Sequence, residues 1–294
     1  MARRLDGKSI IITGASSGIG RATALACADA GMDVVINARR ADRLETLAAD
    51  IRSRGRTAVV VPGDCTDSTV IQSLIDRAAT ETSGVYAVYA NAGYGLSRSV
   101  ANMSETELRD IYEVNFFSSA SLIQRAARHL LERDEPGHML MCSSCLAKLS
   151  VARHGAYSGT KAAQNHLCRA MRQELRKHNI EVASVHPITT TTEFFEVSDE
   201  RSGLDSHETR YVERMPKPWV QTPERVARAI VKCLRRPKPE VWTSLSMRLS
   251  AAFITAFPGS LDLGVRFGPV ARQIEPTEEP AVMTPQSSAP KSDD

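Results

Sequence analysis

Through its first 190 residues the chain alternates between two hydrophobic rhythms. Short β-branched or apolar runs fall at 8–13, 33–37, 57–61, 85–90, 137–143 and 180–186. Longer stretches with helical spacing separate them, at 18–30, 41–55, 67–83, 104–133 and 155–178. Runs such as Val34-Val35-Ile36 and Val59-Val60-Val61 carry no polar alternate, as befits parallel strands covered on both faces. Strand–helix alternation of this kind predicts right-handed βαβ crossovers and a doubly wound parallel sheet, an α/β fold in a single domain over 1–243.

The rhythm changes after about 187. A Thr-rich turn leads into a polar, charged segment at 193–218, and 188–221 as a whole reads as a substrate-loop region. An amphipathic helix opens at Thr222-Pro223-Glu224, with Thr222 as N-cap and Pro223 as its first residue. Glu240-Val241-Trp242-Thr243 adds a last edge strand. Apolar side chains at 245, 247, 249, 253, 254 and 257, stopped by Pro258-Gly259, predict a further amphipathic helix in an extension over 244–273. Two readings of 244–257 stand open: a helix packed on the domain, or a lid or weak membrane-surface contact. Residues 274–294, rich in Pro, Ser and acidic side chains, are expected to form a disordered tail. No internal repeat is present.

Composition removes some classes of function. Hydrophobic residues make up 42% of the 294, enough for a sizeable core, and a net charge of +3 gives no reason to expect a nucleic-acid partner. Ile10-Ile11-Ile12 is too short for a secretory core or a membrane span, and no stretch approaches 18 apolar residues, so a soluble cytoplasmic protein is expected. The six cysteines are scattered and are expected to be reduced thiols. Cys142-x-x-Cys145 ends a strand instead of opening a helix and has no second ligand pair, so no metal is expected.

Thr13-Gly14-Ala15-Ser16-Ser17-Gly18-Ile19-Gly20 follows the first strand and opens the first helix. Missing Cβ atoms let such a turn come close to a pyrophosphate, which the helix N-terminus attracts. In a Rossmann-type βαβ unit this is where a dinucleotide sits. The spacing is one residue wider than the common fingerprint, and no Lys-Ser/Thr follows, which excludes a Walker loop. The second strand ends in Asn37-Ala38-Arg39-Arg40, where an NAD-binding unit carries a carboxylate for the ribose 2′-hydroxyl. Arg39, helped by Arg40 and Ser17, suits a 2′-phosphate instead, so NADP(H) is the expected cofactor over NAD(H).

Tyr157-Ser158-Gly159-Thr160-Lys161 puts a phenol and an amine on one face of a predicted helix. An ammonium nearby favours the phenolate and makes the tyrosine a usable proton donor and acceptor. With Ser144 thirteen residues before Tyr157, Asn115 in Val114-Asn115-Phe116, Asp64 after the third strand and Ala90-Asn91-Ala92-Gly93 after the fourth, the chain resembles the short-chain dehydrogenase/reductase family from about Leu5 to Thr192.

The resemblance implies an oxidoreductase that interconverts a carbonyl and an alcohol by hydride transfer. Tyr157 would exchange the proton, Ser144 would orient the substrate oxygen, and Lys161 would bind the nicotinamide ribose. Asn115 would hold a water that connects Lys161 to solvent. It also implies cofactor contacts from Gly14, Ser16, Ser17, Gly18, Ile19, Gly20, Asp64, Asn91, Ala92, Gly93, Pro187 and Thr192, besides Arg39, Arg40, Tyr157 and Lys161. Ala90 replaces the family's first Asn, and Ile188 stands where it has the glycine of Pro-Gly, so another path is expected for the loop from Pro187 to Thr192. Pairing through the two long helices would give a homodimer or homotetramer, with Leu167, Ala170, Met171 and Leu175 available as a seam or as monomer core. Apolar residues in the specificity segments (Leu96, Leu146, Leu149, Phe194, Phe195) suggest an apolar ketone substrate. The alternative of another class is an NADP(H)-binding sensor or scaffold without turnover; a nucleotide-sugar epimerase fits less well, because the region after Thr192 is short.

Overall fold

The structure, a computed structural model, describes residues 2–203 and 217–267. The elements run β1 (Ser9–Thr13), α1 (Gly18–Asp29), β2 (Asp33–Ala38), α2 (Ala41–Arg52), β3 (Ala58–Pro62), α3 (Ser68–Glu81), β4 (Ala87–Ala90), α4 (Glu105–Tyr112), α5 (Ser118–Glu132), β5 (Gly137–Cys142), α6 (Gly155–Leu175), β6 (Ile180–His186), β7 (Thr189–Thr190), α7 (Phe194–Ser202), β8 (Val220–Gln221), α8 (Pro223–Arg235), β9 (Glu240–Trp242), α9 (Leu245–Ala256) and α10 (Gly259–Phe267). Seven strands form a parallel sheet in the order β3-β2-β1-β4-β5-β6-β9. The order reverses between β1 and β4, which opens a crevice at the carboxyl ends of the strands.

Alternate side chains of each strand enter opposite cores, which is why these runs lack polar positions. Ile10, Ile12, Val34, Ile36 and Leu140 pack with Leu44, Leu47, Val226 and Ile230 of α2 and α8. Ile11, Val35, Val59, Met139 and Val182 pack with Leu74, Leu122, Ile123 and Cys168 of α3, α5 and α6. Each fully buried aliphatic chain contributes about 1.5–3 kcal/mol relative to exposure.

The long helix expected over 104–133 is interrupted. A capping box of Ser104 and Glu107 opens α4, and a π-helical turn at Glu113–Phe117 separates it from α5. Sequence periodicity does not register one inserted residue, so this break was not visible in it. The polar segment at 193–218 contains α7, with only Ser198 and Ser202 buried, too little apolar periodicity to announce a helix. Ile188 takes no left-handed backbone. It is buried, and the chain beyond it forms β7, paired with β8. Thr222 and Pro223 do open α8, although the Thr222 hydroxyl makes no bond to the helix N–H groups.

Of the α6 residues considered for a pairing seam, Met171 and Leu175 lie in the core, whereas Ala170 is exposed. In α9 only Ala251 is buried. Leu245, Leu249, Phe253 and Phe257 form an outward row, each more than half exposed, so the packing reading of 244–257 covers little of its apolar surface. Pro258-Gly259 ends α9, and Gly259 begins α10 at once. The expected tail at 274–294 lies outside the described residues.

Candidate active site

Most of the expected site residues follow the carboxyl ends of six strands, β1 to β6. After β1, Thr13 fixes the floor: its hydroxyl accepts the backbone N–H groups of Asn91 and Ala92, both at 3.1 Å. Asn91 returns the contact, its amide donating to the carbonyls of Thr13 at 3.1 Å and Gly14 at 3.3 Å. Gly14 and Gly18 have φ of 65° and 53°, and a Cβ on Gly18 would lie 2.9 Å from the Thr192 methyl. The turn therefore closes between Asn91-Ala92 on one side and Thr192 on the other. A Cβ on Gly93 would lie 2.9 Å from Asn115 Oδ1 and 3.6 Å from Lys161 Nζ. Glycine backbone thus lies at both ends of this groove, Gly14 and Gly18 at the N-terminus of α1 and Gly93 beside Lys161.

The end of β2, Asn37-Ala38-Arg39-Arg40, itself carries no carboxylate. The buried Asn37 spends its amide on the carbonyls of Val61 at 2.9 Å and Gly63 at 3.2 Å, tying the β2 and β3 ends together. An aspartate could not donate those bonds. Arg40 donates to the Ser16 and Ser17 hydroxyls at 3.0 and 3.1 Å. Arg39 is exposed and has no ion pair among the described residues. Asp64 accepts the backbone and hydroxyl of Thr66, both at 2.9 Å, in an Asx turn.

Tyr157 and Lys161 occupy the first two turns of α6, and both are buried. Lys161 Nζ lies 5.5 Å from the Tyr157 ring centroid and donates to the Cys142 carbonyl at 2.7 Å. Burial pushes the Tyr157 hydroxyl well above its ordinary value, a rise augmented by Cys142 and partly opposed by the Ser144 hydroxyl. Burial also lowers the Lys161 amine. Beside an exposed phenol an ammonium would favour the phenolate. In the folded chain desolvation dominates and holds the phenol protonated.

Ser144 starts the short 3₁₀ turn Cys145–Ala147, and its hydroxyl accepts Leu146 N–H at 3.1 Å. Asn115 sits in the π-turn. Its side-chain amide exchanges two bonds with the Tyr94 backbone, both at 2.9 Å, and its backbone carbonyl accepts Gln164 Nε2 at 2.6 Å. Pro187 accepts Cys145 N–H at 3.0 Å. Tyr94, Leu96, Ile111 and Tyr157 form a small apolar cluster with Leu146, Phe194 and Val197, and the Phe194 ring lies 5.7 Å from that of Tyr157.

Sequence reasoning passed over His186, although it stands directly before Pro187 at the end of β6. Its Nδ1 bonds the Ser144 carbonyl at 2.8 Å, its Nε2 lies 2.9 Å from Ser184 Oγ, and its ring stacks on Trp242 at 4.5 Å. A carbonyl only accepts, so Nδ1 carries the proton and Nε2 accepts. Burial lowers His186 to about 4 and His138 to about 3. Unfolding exposes both rings, which then bind protons near 6.5. Their stabilising contribution is complete above that value and is lost as the pH falls toward the folded values, at about 1.4 kcal/mol per pH unit for each ring. The urea midpoint is therefore expected to drop between pH 7 and pH 5; an unchanged midpoint would remove this assignment.

A glycine cradle at the switch point and a buried tyrosine–lysine pair beside it define a dinucleotide-dependent oxidoreductase. The family model of short chain dehydrogenases matches residues 8–202, and the chain belongs to that family. It is 30% identical over 229 residues to an L-rhamnose 1-dehydrogenase (NAD(P)(+)) of Sphingomonas sp., covering 77% of this chain and 89% of that one. A short chain dehydrogenase from Burkholderia cenocepacia in complex with NADP is 27% identical with a TM-score of 0.69, covering 81% and 96%. A 7α-hydroxysteroid dehydrogenase complexed with NADH and 7-oxoglycochenodeoxycholic acid is 29% identical with a TM-score of 0.70, covering 79% and 89%. The chain also matches uncharacterised mycobacterial oxidoreductases at 36% identity, spanning 54% of their length. Among the described residues no helix is long and apolar enough to cross a membrane.

Proposed function

We propose that the protein is an NADP(H)-dependent oxidoreductase that interconverts a ketone or aldehyde and its alcohol, with Tyr157 exchanging the proton. The observation that carries this reading is the buried Tyr157–Lys161 pair, with Lys161 beside Gly93 and the Ser144 hydroxyl beside the Tyr157 phenol. When bound, the nicotinamide supplies or takes up the hydride. Gly14, Ser16, Ser17, Gly18, Ile19 and Gly20 would hold the pyrophosphate, and Asn91, Ala92, Gly93, Pro187 and Thr192 would line the rest of the groove. Asp64 would meet the adenine, and Arg39 with Arg40 the 2′-phosphate.

Tyr157, kept protonated by its burial, is a ready donor to a carbonyl oxygen. Ser144 hydrogen-bonds the same oxygen, and His186 fixes the backbone that carries it. Lys161, anchored on the Cys142 carbonyl, presents its remaining N–H groups to the ribose. Asn115, locked by Tyr94 and Gln164, keeps the π-turn against Gly93 and Lys161.

The apolar cluster around Tyr157 favours a medium or large apolar ketone, in line with the bile-acid ligand of the 7α-hydroxysteroid dehydrogenase relative. The sugar substrate named for the rhamnose dehydrogenase points the other way. For assembly we favour pairing through α4, α5 and α6, where Leu108 and Phe117 remain exposed.

The test follows NADPH oxidation with a panel of steroid, aryl and aliphatic ketones and with sugar lactones. Turnover on apolar ketones, with kcat/KM for NADPH above that for NADH, is expected. Cofactor binding without turnover on any member would favour the sensor, and a ratio below one would remove the NADP(H) preference.

A further inference from the structure

Three consecutive side chains at the start of α7 hold three separate parts of the site. The Thr192 methyl lies against Gly18, and the Phe194 ring lies against Tyr157. Between them Glu193 reaches the first turn of α2. Its Oε2 accepts Arg40 Nη1 at 2.9 Å, and its Oε1 accepts Arg43 Nη1 at 2.5 Å. Arg40 meanwhile donates to Ser16 and Ser17 of the glycine turn. Two guanidiniums and two hydroxyls thus converge beside the end of β2, and the anion seated among them is the chain's own. These donors also suit a phosphate monoester, which takes forked guanidinium bonds and hydroxyl bonds at once.

We infer that Glu193 is a built-in competitor for the 2′-phosphate of NADP(H), holding Arg40, one of the two arginines proposed for that phosphate, together with the neighbouring Arg43, and thereby setting how far the protein discriminates NADP(H) from NAD(H). This deepens the cofactor preference proposed above and rests on it. The side chains of Arg40, Arg43 and Glu193 are 42%, 43% and 38% exposed, so each ion pair is weak and can exchange. A 2′-phosphate brings more charge than one carboxylate and can displace Glu193. Displacement still costs the two ion pairs, or leaves two anions side by side. NAD(H), which has only a 2′-hydroxyl there, leaves both pairs intact and bears no such cost. Glu193 therefore weakens NADP(H) binding selectively and narrows the preference that Arg39 and Arg40 create.

The test measures dissociation constants of NADPH and NADH by titration of cofactor fluorescence, and of 2′,5′-ADP by calorimetry, for the wild type, Glu193→Gln and Glu193→Asp. Glu193→Gln is expected to tighten NADPH and 2′,5′-ADP about fivefold and to leave NADH unchanged. Glu193→Asp, which keeps the charge, is expected to keep the wild-type ratio. An NADPH-to-NADH ratio unchanged in Glu193→Gln, or NADPH bound more weakly, would overturn the inference. A wild type that prefers NADH would count against the cofactor reading alone, because a shift of the ratio in Glu193→Gln would still support the competitor.

Discussion

Replacing Tyr157 with phenylalanine is expected to lower kcat at least about 100-fold while NADPH affinity stays within about threefold of the wild type. The substitution removes one oxygen and keeps the ring that packs against Phe194, Leu96 and Ile111. Lys161 loses no hydrogen bond, because its amine donates to the Cys142 carbonyl and not to the phenol. The variant should therefore fold as the wild type does and present the same groove to the cofactor. What it lacks is the proton that must reach the carbonyl oxygen as hydride arrives. A pH profile adds a second readout. Burial holds the phenol protonated, so reduction in the wild type is expected to be flat near neutrality. Alcohol oxidation, which needs the phenolate, should climb through the alkaline range. Both features vanish if the tyrosine is not the proton carrier, and near-normal turnover of Tyr157→Phe would end the mechanism.

How much of this was legible in the sequence depends on how local each cause is. The sheet was legible because both faces of every central strand are buried, and unbroken apolar runs such as Val34-Val35-Ile36 leave no other reading. The glycine turn, the Tyr157–Lys161 spacing and the missing carboxylate after β2 are likewise written within a few residues. The π-turn at Asn115 was not, because it depends on Tyr94, Thr160 and Gln164, which lie 21, 45 and 49 residues away. The roles of His186 and Glu193 were hidden for the same reason. His186 reaches back 42 residues to the Ser144 carbonyl, and Glu193 reaches back 153 residues to Arg40. Tyr157 was singled out by its spacing from Lys161, but its protonation depends on a burial that no four-residue spacing encodes. Motif spacing supplied the candidate groups, and long-range packing sets their burial and their anchors.

The cofactor half of the site has its own decisive substitution, Gly20→Ala, expected to weaken NADPH binding at least about 100-fold. Judged by helix propensity alone this change in the first turn of α1 should help, since alanine stabilises a helix by about 1 kcal/mol over glycine. Geometry reverses the sign. A Cβ on Gly20 would lie 2.3 Å from the Gly14 carbonyl oxygen and 2.7 Å from the Asn91 amide nitrogen. Those neighbours cannot rotate aside like the end of a long side chain. Gly14 is backbone, and Asn91 is held by the Thr13 carbonyl and hydroxyl. The turn must therefore move outward as a unit, which lifts its N–H groups from the place proposed for the pyrophosphate and breaks the Asn91–Gly14 contact. The comparison that isolates this effect is Gly55→Ala. Gly55, unlike Gly20, has a positive φ, 72°, but nothing lies within 4 Å of its added Cβ, and it sits beyond the far end of α2. Both variants should lose some stability, from crowding in one case and backbone strain in the other, and only Gly20→Ala should lose the cofactor. Titration of NADPH against the two proteins decides the matter. If Gly20→Ala bound NADPH as tightly as Gly55→Ala, the glycine cradle would not be the cofactor site, whatever the sheet around it resembles.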